Sequence, residues 1–76
     1  MRTLREISFE IRSDWTKVSP YAEPYLKAMQ SLNSIDDVFY ADSARSVVAY
    51  FLANASSWRG ENARRIKAEL NKMLKA

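Results

Sequence analysis

The chain has 76 residues, a formal net charge of +3, no cysteine and no histidine. That inventory excludes disulfide staples, the usual zinc and haem ligand sets, and the cysteine- and histidine-based routes to catalysis. With 47% hydrophobic and 12% aromatic residues the chain is predicted to fold, as a single domain over residues 1–76 small enough to bury only about 60% of its unfolded surface.

One glycine and two prolines leave little punctuation for hairpins, and the apolar spacing is helical. Leu4, Ile7, Ile11, Trp15 and Val18 fall within a stripe of about 60°, which predicts a first helix over residues 3–17. It ends before Ser19-Pro20, because the residue ahead of a proline avoids the helical region. Ser19 can cap a second helix with Pro20 in its first position. Pro24 confines the regular part to about 24–32, with Tyr21, Tyr25, Met29 and Leu32 on one face.

The connector NSIDDVFYADSA carries Ser34 and Asp37 in weak capping-box register, and an extra helical turn near 35–40 burying Ile35, Val38 and Phe39 is expected. Asp42 is the predicted cap of a third helix, 43–57, whose Ala44, Val47, Val48, Phe51, Ala55 and Trp58 share one side. Opposite them Ala49 and Ala53 are small enough to admit a neighbouring helix, making helix three the expected centre of the bundle. The fourth helix, 60–75, buries Ala63, Ile66, Leu70, Met73 and Leu74 in a stripe about 100° wide. The fold class predicted is therefore all-α, a small four-helix bundle.

MRTLREISFEIRSDW lacks the apolar stretch of a secretory signal, and the run from Val47 to Ala53 is far short of the ~20 residues that span a bilayer. A cytoplasmic protein making no membrane contact is expected. Three patterns that would suggest chemistry resolve more simply. Glu6 and Glu10 share a helix face away from the apolar stripe, where ion pairing with Arg2 explains them better than a catalytic carboxylate pair. Asp36, Asp37 and Asp42 lack EF-hand spacing and its glycine, which favours turn and cap roles over a metal site. Gly60 alone makes no phosphate loop. No enzyme, cofactor or small-molecule substrate is expected.

Charge is unevenly placed. From Arg59 onward six basic and two acidic residues leave +4, whereas the first 58 residues carry six basic and seven acidic and leave −1. Arg64, Arg65, Lys72 and Lys75 lie opposite the apolar stripe of helix four, as a phosphate-contacting face would. Set against this, Glu61 and Glu69 stand three or four residues from those cations, the spacing of a solvated helix laced with its own ion pairs. Helices three and four with SSWRG between them also permit a helix-turn-helix reading, with Leu52, Ala53, Trp58, Ala63 and Ile66 at the internal contacts.

A second surface lies on helix one, where Phe9 stands about 140° from the core stripe beside Arg5 and Arg12. Either helix two or four covers it, or these three residues form a partner contact or homodimer seam, since aromatic residues and arginine favour interface centres. Tyr21, Tyr25, Tyr40 and Tyr50 are expected at the edge of the core with their hydroxyls towards water.

YFLANASSWRGENARRIKAELNKML, taken with TLREISFEIRSDW and PYLKAM, resembles a group of short uncharacterised all-helical proteins of bacterial genomes carried on prophages or mobile elements. The resemblance implies an accessory role beside DNA or another protein and assigns no residue. The function expected is a small non-enzymatic interaction module with a protein partner or a second copy of itself; the alternative is nucleic-acid binding through the basic fourth helix.

Overall fold

The computed structural model describes residues 2–39 and 41–75. Four helices, α1 (Leu4–Asp14), α2 (Glu23–Met29), α3 (Ala44–Ala53) and α4 (Glu61–Lys75), enclose one core, and the connector between α2 and α3 holds a two-residue antiparallel ladder, β1 (Val38–Phe39) with β2 (Asp42–Ser43). α1 packs on α2 and α4, and α3 packs on the same two helices from the other side. The protein is a small all-helical bundle.

α1 begins where Thr3 and Glu6 form a reciprocal capping box: Glu6 N–H donates to Thr3 Oγ1 at 3.1 Å and Thr3 N–H to Glu6 Oε1 at 2.8 Å, which satisfies two otherwise orphaned donors. Two more first-turn donors, Leu4 and Arg5 N–H, reach Asn33 O and Leu32 O in the segment after α2, at 3.0 and 2.9 Å. α1 stops at Asp14, short of the predicted residue 17, because Trp15 leaves helical geometry and turns inward. There it stacks on Trp58 with ring centroids 5.7 Å apart and planes 8° from parallel, while Phe51 meets both indoles edge-on. Of the predicted stripe, Leu4, Ile7, Ile11 and Trp15 are buried and Val18 packs partly against them.

α2 is shorter than predicted and is preceded by a turn in which Ser19 O accepts from Ala22 and Glu23 N–H. Ser19 Oγ accepts from Tyr21 N–H at 3.3 Å, so it caps that turn rather than α2. Pro24 falls in the first turn of α2, where its missing donor costs nothing. The buried face is Ala22, Leu26, Met29 and Leu32, with Tyr25 partly covered and Tyr21 exposed.

The connector departs furthest from prediction. Asp37 Oδ2 accepts the backbone N–H groups of Asn33 and Ser34 at 2.8 and 3.0 Å, closing a turn that hands the chain to β1 instead of opening a helix. Ile35 packs partly on the core, but Val38 is exposed; the side chain of Phe39, and Tyr40 altogether, lie outside the described residues. The cap of α3 is Ser43, one residue beyond the expected Asp42, and its hydroxyl accepts from Ser46 N–H at 3.1 Å.

α3 brings Phe51, the largest fully buried side chain, into the middle of the core. Ala49 and Ala53 do not admit a neighbouring helix: both are exposed, because α2 and α4 flank the opposite side. α4 buries Ala63, Ile66, Leu70 and Met73 as predicted, with Leu74 partly covered. Among the described residues no helix is long and apolar enough to cross a membrane.

Candidate nucleic-acid interface

The loop before α4 is held by contacts from α1 and α4 that fix where its cations stand. Asp14 accepts from Trp58 Nε1 at 2.8 Å and from Asn62 Nδ2 at 3.0 Å, so the end of α1 holds the start of α4. These bonds, Asn62 first and then Trp58, hold the Asp14 carboxyl below its ordinary range. Gly60 turns the chain into α4 at φ +119°, a conformation that side chains with a Cβ rarely adopt. Lys67 reaches back from the second turn of α4, donating from Nζ to Ala55 O at 2.7 Å and Trp58 O at 2.6 Å and lying 5.7 Å from the Trp58 ring centroid. Burial, and then the charge of Arg59, push its ammonium below the usual lysine range. Around it an open basin of about 370 Å³ is lined by Trp58, Arg59, Gly60, Ala63, Arg64 and Lys67.

Of the two acids predicted to neutralise the basic face, Glu69 is placed differently. Glu69 pairs with Arg2, Nη2 to Oε1 at 2.6 Å and Nε to Oε2 at 3.3 Å, and not with Lys72 or Arg65. Arg2 also pairs with Glu10, and Glu10 pairs in turn with Arg65. The chain Glu69–Arg2–Glu10–Arg65 thus links the N-terminal arm, α1 and α4. Arg2 lies further above its ordinary range through Glu69 chiefly, and Glu10 is held below its own through Arg2 and then Arg65. Glu6, read from sequence as a solvated partner of Arg2, is the capping-box carboxylate.

Of the four predicted contact residues, Arg65 therefore has its charge engaged. Arg64, Lys72 and Lys75 are exposed, and among the described residues no acidic side chain pairs with them or with Arg59. Glu61, also exposed, is the one acid left on this face. Arg59 and Lys67 complete the cluster without having been singled out from the sequence; the sign of Lys67 is its position at the border of the apolar stripe, close to the core.

The predicted helix-turn-helix is not built on a short turn. The connection covers residues 54–60, against about 3–4 residues in that motif, and Ala53 is exposed rather than part of the inter-helix contact.

Arg5, Phe9 and Arg12 do share a region of α1, but no helix folds over Phe9, which is 48% exposed. The Arg5 guanidinium sits 5.5 Å from its ring centroid, and Arg12 pairs with Glu23 on α2 at 2.6 Å. Tyr25 and Tyr50 stack across α2 and α3 at 5.5 Å, with Tyr50 largely exposed. Asp36 faces Arg45 at 3.4 Å, Asp37 closes its turn and Asp42 lies in β2.

Comparison of the chain with protein-family models, curated proteins and solved structures finds no match.

Proposed function

We propose that the chain is a small non-enzymatic binding module of the cytoplasm whose α4 face engages the phosphate backbone of a nucleic acid. One observation supports this above the solvated-helix reading: Glu69 is drawn off to Arg2, so Arg59, Arg64, Lys72 and Lys75 are exposed and, among the described residues, Glu61 is the one exposed acid beside them. A helix whose charges neutralise one another has little to offer a polyanion, whereas a face of uncompensated cations gains from releasing the counterions condensed on phosphate.

The test is retention on heparin and on DNA against salt, for the wild type and for the variant with Arg59, Arg64, Lys72 and Lys75 all changed to Glu. Retention that falls steeply with salt and vanishes in the variant supports the reading; weak, salt-insensitive behaviour in both removes it. A second reading, contact with a protein partner or a second copy, draws on the exposure of Phe9 beneath Arg5. It is supported if solution mass exceeds that of a monomer and Phe9→Ser restores the monomer, and it is removed if both are monomeric and no partner contact is lost.

A further inference from the structure

The cations left free by the pairing pattern are not spread evenly along α4. Arg59 and Arg64 stand at its entry, Lys72 and Lys75 at its exit, and the outer surface between them carries Ala68 and Asn71, both exposed and uncharged. The charged residues that would fill the interval are all turned elsewhere: Arg65 to Glu10, Lys67 to the carbonyls of Ala55 and Trp58, Glu69 to Arg2. At about 1.5 Å of rise per residue, Arg64 and Lys72 are separated by about 12 Å along the axis, and Arg64 and Lys75 by about 16 Å. The major groove of B-form DNA is about 12 Å wide and so takes the diameter of an α-helix, about 10–12 Å with its side chains.

We propose that α4 seats in the major groove of double-stranded DNA, with Arg59, Arg64, Lys72 and Lys75 on the phosphates that flank it and Ala68 above the groove floor. This rests on the reading of α4 as the phosphate-binding face and names the nucleic acid it takes. One feature favours a duplex groove over a single strand. Single-strand binders present aromatic platforms on which bases stack, and α4 has no aromatic residue. Glu61 would repel a phosphate, but a base edge in the major groove offers it an amino donor. Ala68 matters for its size: any long side chain there would stand between the helix and the bases.

The experiment measures binding by fluorescence anisotropy to a short DNA duplex, to one of its single strands, and to an RNA duplex of the same sequence, whose deep, narrow major groove excludes a helix. The DNA duplex is expected to bind about tenfold or more tighter than the other two. Ala68→Trp, at an exposed position, is expected to lose about tenfold or more on the DNA duplex and nothing on the single strand, with circular dichroism and melting temperature reporting an intact fold. Equal binding to all three nucleic acids, or an Ala68→Trp variant that holds the DNA duplex as tightly as wild type, overturns the groove proposal and leaves backbone binding standing. Failure to bind any of the three overturns both. The comparison of nucleic acids uses the wild-type protein alone, so it tests the proposal even if the variant fails to fold.

Discussion

Arg65→Ala and Lys72→Ala remove one exposed cation each from the same helix, yet the structure makes them unequal. Arg65 is committed to Glu10, whereas Lys72 has no acidic partner among the described residues. Each phosphate contact contributes about −0.9 to the slope of log affinity against log salt on B-form DNA, so contacts from Arg59, Arg64, Lys72 and Lys75 give about −3.6. Between about 50 and 200 mM salt that slope weakens binding by about 150-fold. Lys72→Ala should reduce the slope to about −2.7 and the loss over the same range to about 40-fold, while Arg65→Ala should leave the slope near −3.6. Glu10→Gln, which releases Arg65, should steepen the slope towards −4.5, roughly one more contact's worth. Anisotropy titrations of a labelled duplex at several salt concentrations measure all four slopes. If Arg65→Ala flattens the dependence as much as Lys72→Ala does, tertiary pairing does not decide which cations reach phosphate, and the reasoning fails. Stability does not confuse the comparison, since an exposed pair of this kind contributes only about 0.2–1 kcal/mol.

Three further outcomes concern the fold that holds this face in place. Phe51→Ala empties the space beside the stacked indoles and should cost about 3–5 kcal/mol, a large part of the roughly 4–11 kcal/mol available to a chain of this length; urea denaturation followed by tryptophan fluorescence measures it, and a cost under about 1 kcal/mol would show that the ring does not fill that space. Gly60→Ala meets no atom within 4 Å but must adopt φ +119°, so a loss of about 1–3 kcal/mol from backbone strain is expected; an unchanged urea midpoint would mean that the turn does not need glycine. Glu10, Glu23 and Asp14 are all held below their ordinary values, by Arg2, Arg12 and Asn62 respectively as the leading partners. Their stabilisation is therefore complete above the unfolded carboxylate range near pH ~4 and is lost as pH falls through the lower folded values. Urea midpoints should be level above about pH 5 and decline on acidification, less steeply in Asp14→Asn; a midpoint that rises in acid contradicts these pairings.

The bundle was legible because each helix shows its buried face as a run of apolar residues at helical spacing, and because Pro24 fits only in a first turn. The ends were less legible, since they depend on tertiary contacts. Trp15 continues the stripe of α1 by spacing, yet it leaves the helix because Trp58, 43 residues later in the chain, offers it a stacking surface. The connector went to a ladder rather than a helical turn once Asp37 took the amides of Asn33 and Ser34, a choice no periodicity encodes. Asp42 and Ser43 are both good caps, and only backbone geometry selects the second. The Thr3–Glu6 box was present as T-x-x-E in the sequence, but apolar periodicity alone passes over it.

The candidate site divides along the same line. Helical spacing correctly placed Arg64, Lys72 and Lys75 on the outer face of α4, because the direction of a side chain on a helix follows from its position. Spacing of three and four residues pairs Glu69 with Arg65 and Lys72, but the fold offers it a partner from outside the helix. A carboxylate with several cations in reach goes to the one that can meet it in fixed bidentate geometry, and Arg2, at the far end of the chain, does so from the N-terminal arm. That pairing leaves Lys72 uncompensated, and Arg2 also meets a second carboxylate, Glu10, which pairs in turn with Arg65. The net charge of α4 is the same before and after, but its distribution changes from an even lacing to two cationic ends with a neutral middle. The phosphates along a groove meet the unpaired cations, which is why Arg2→Ala, far from the proposed contacts, is expected to weaken duplex binding. Glu69 would then be free to turn to Lys72, cancelling one phosphate contact and flattening the salt slope by about 0.9, and a slope unchanged in Arg2→Ala would show that the N-terminal arm has no part in setting the charge of this face.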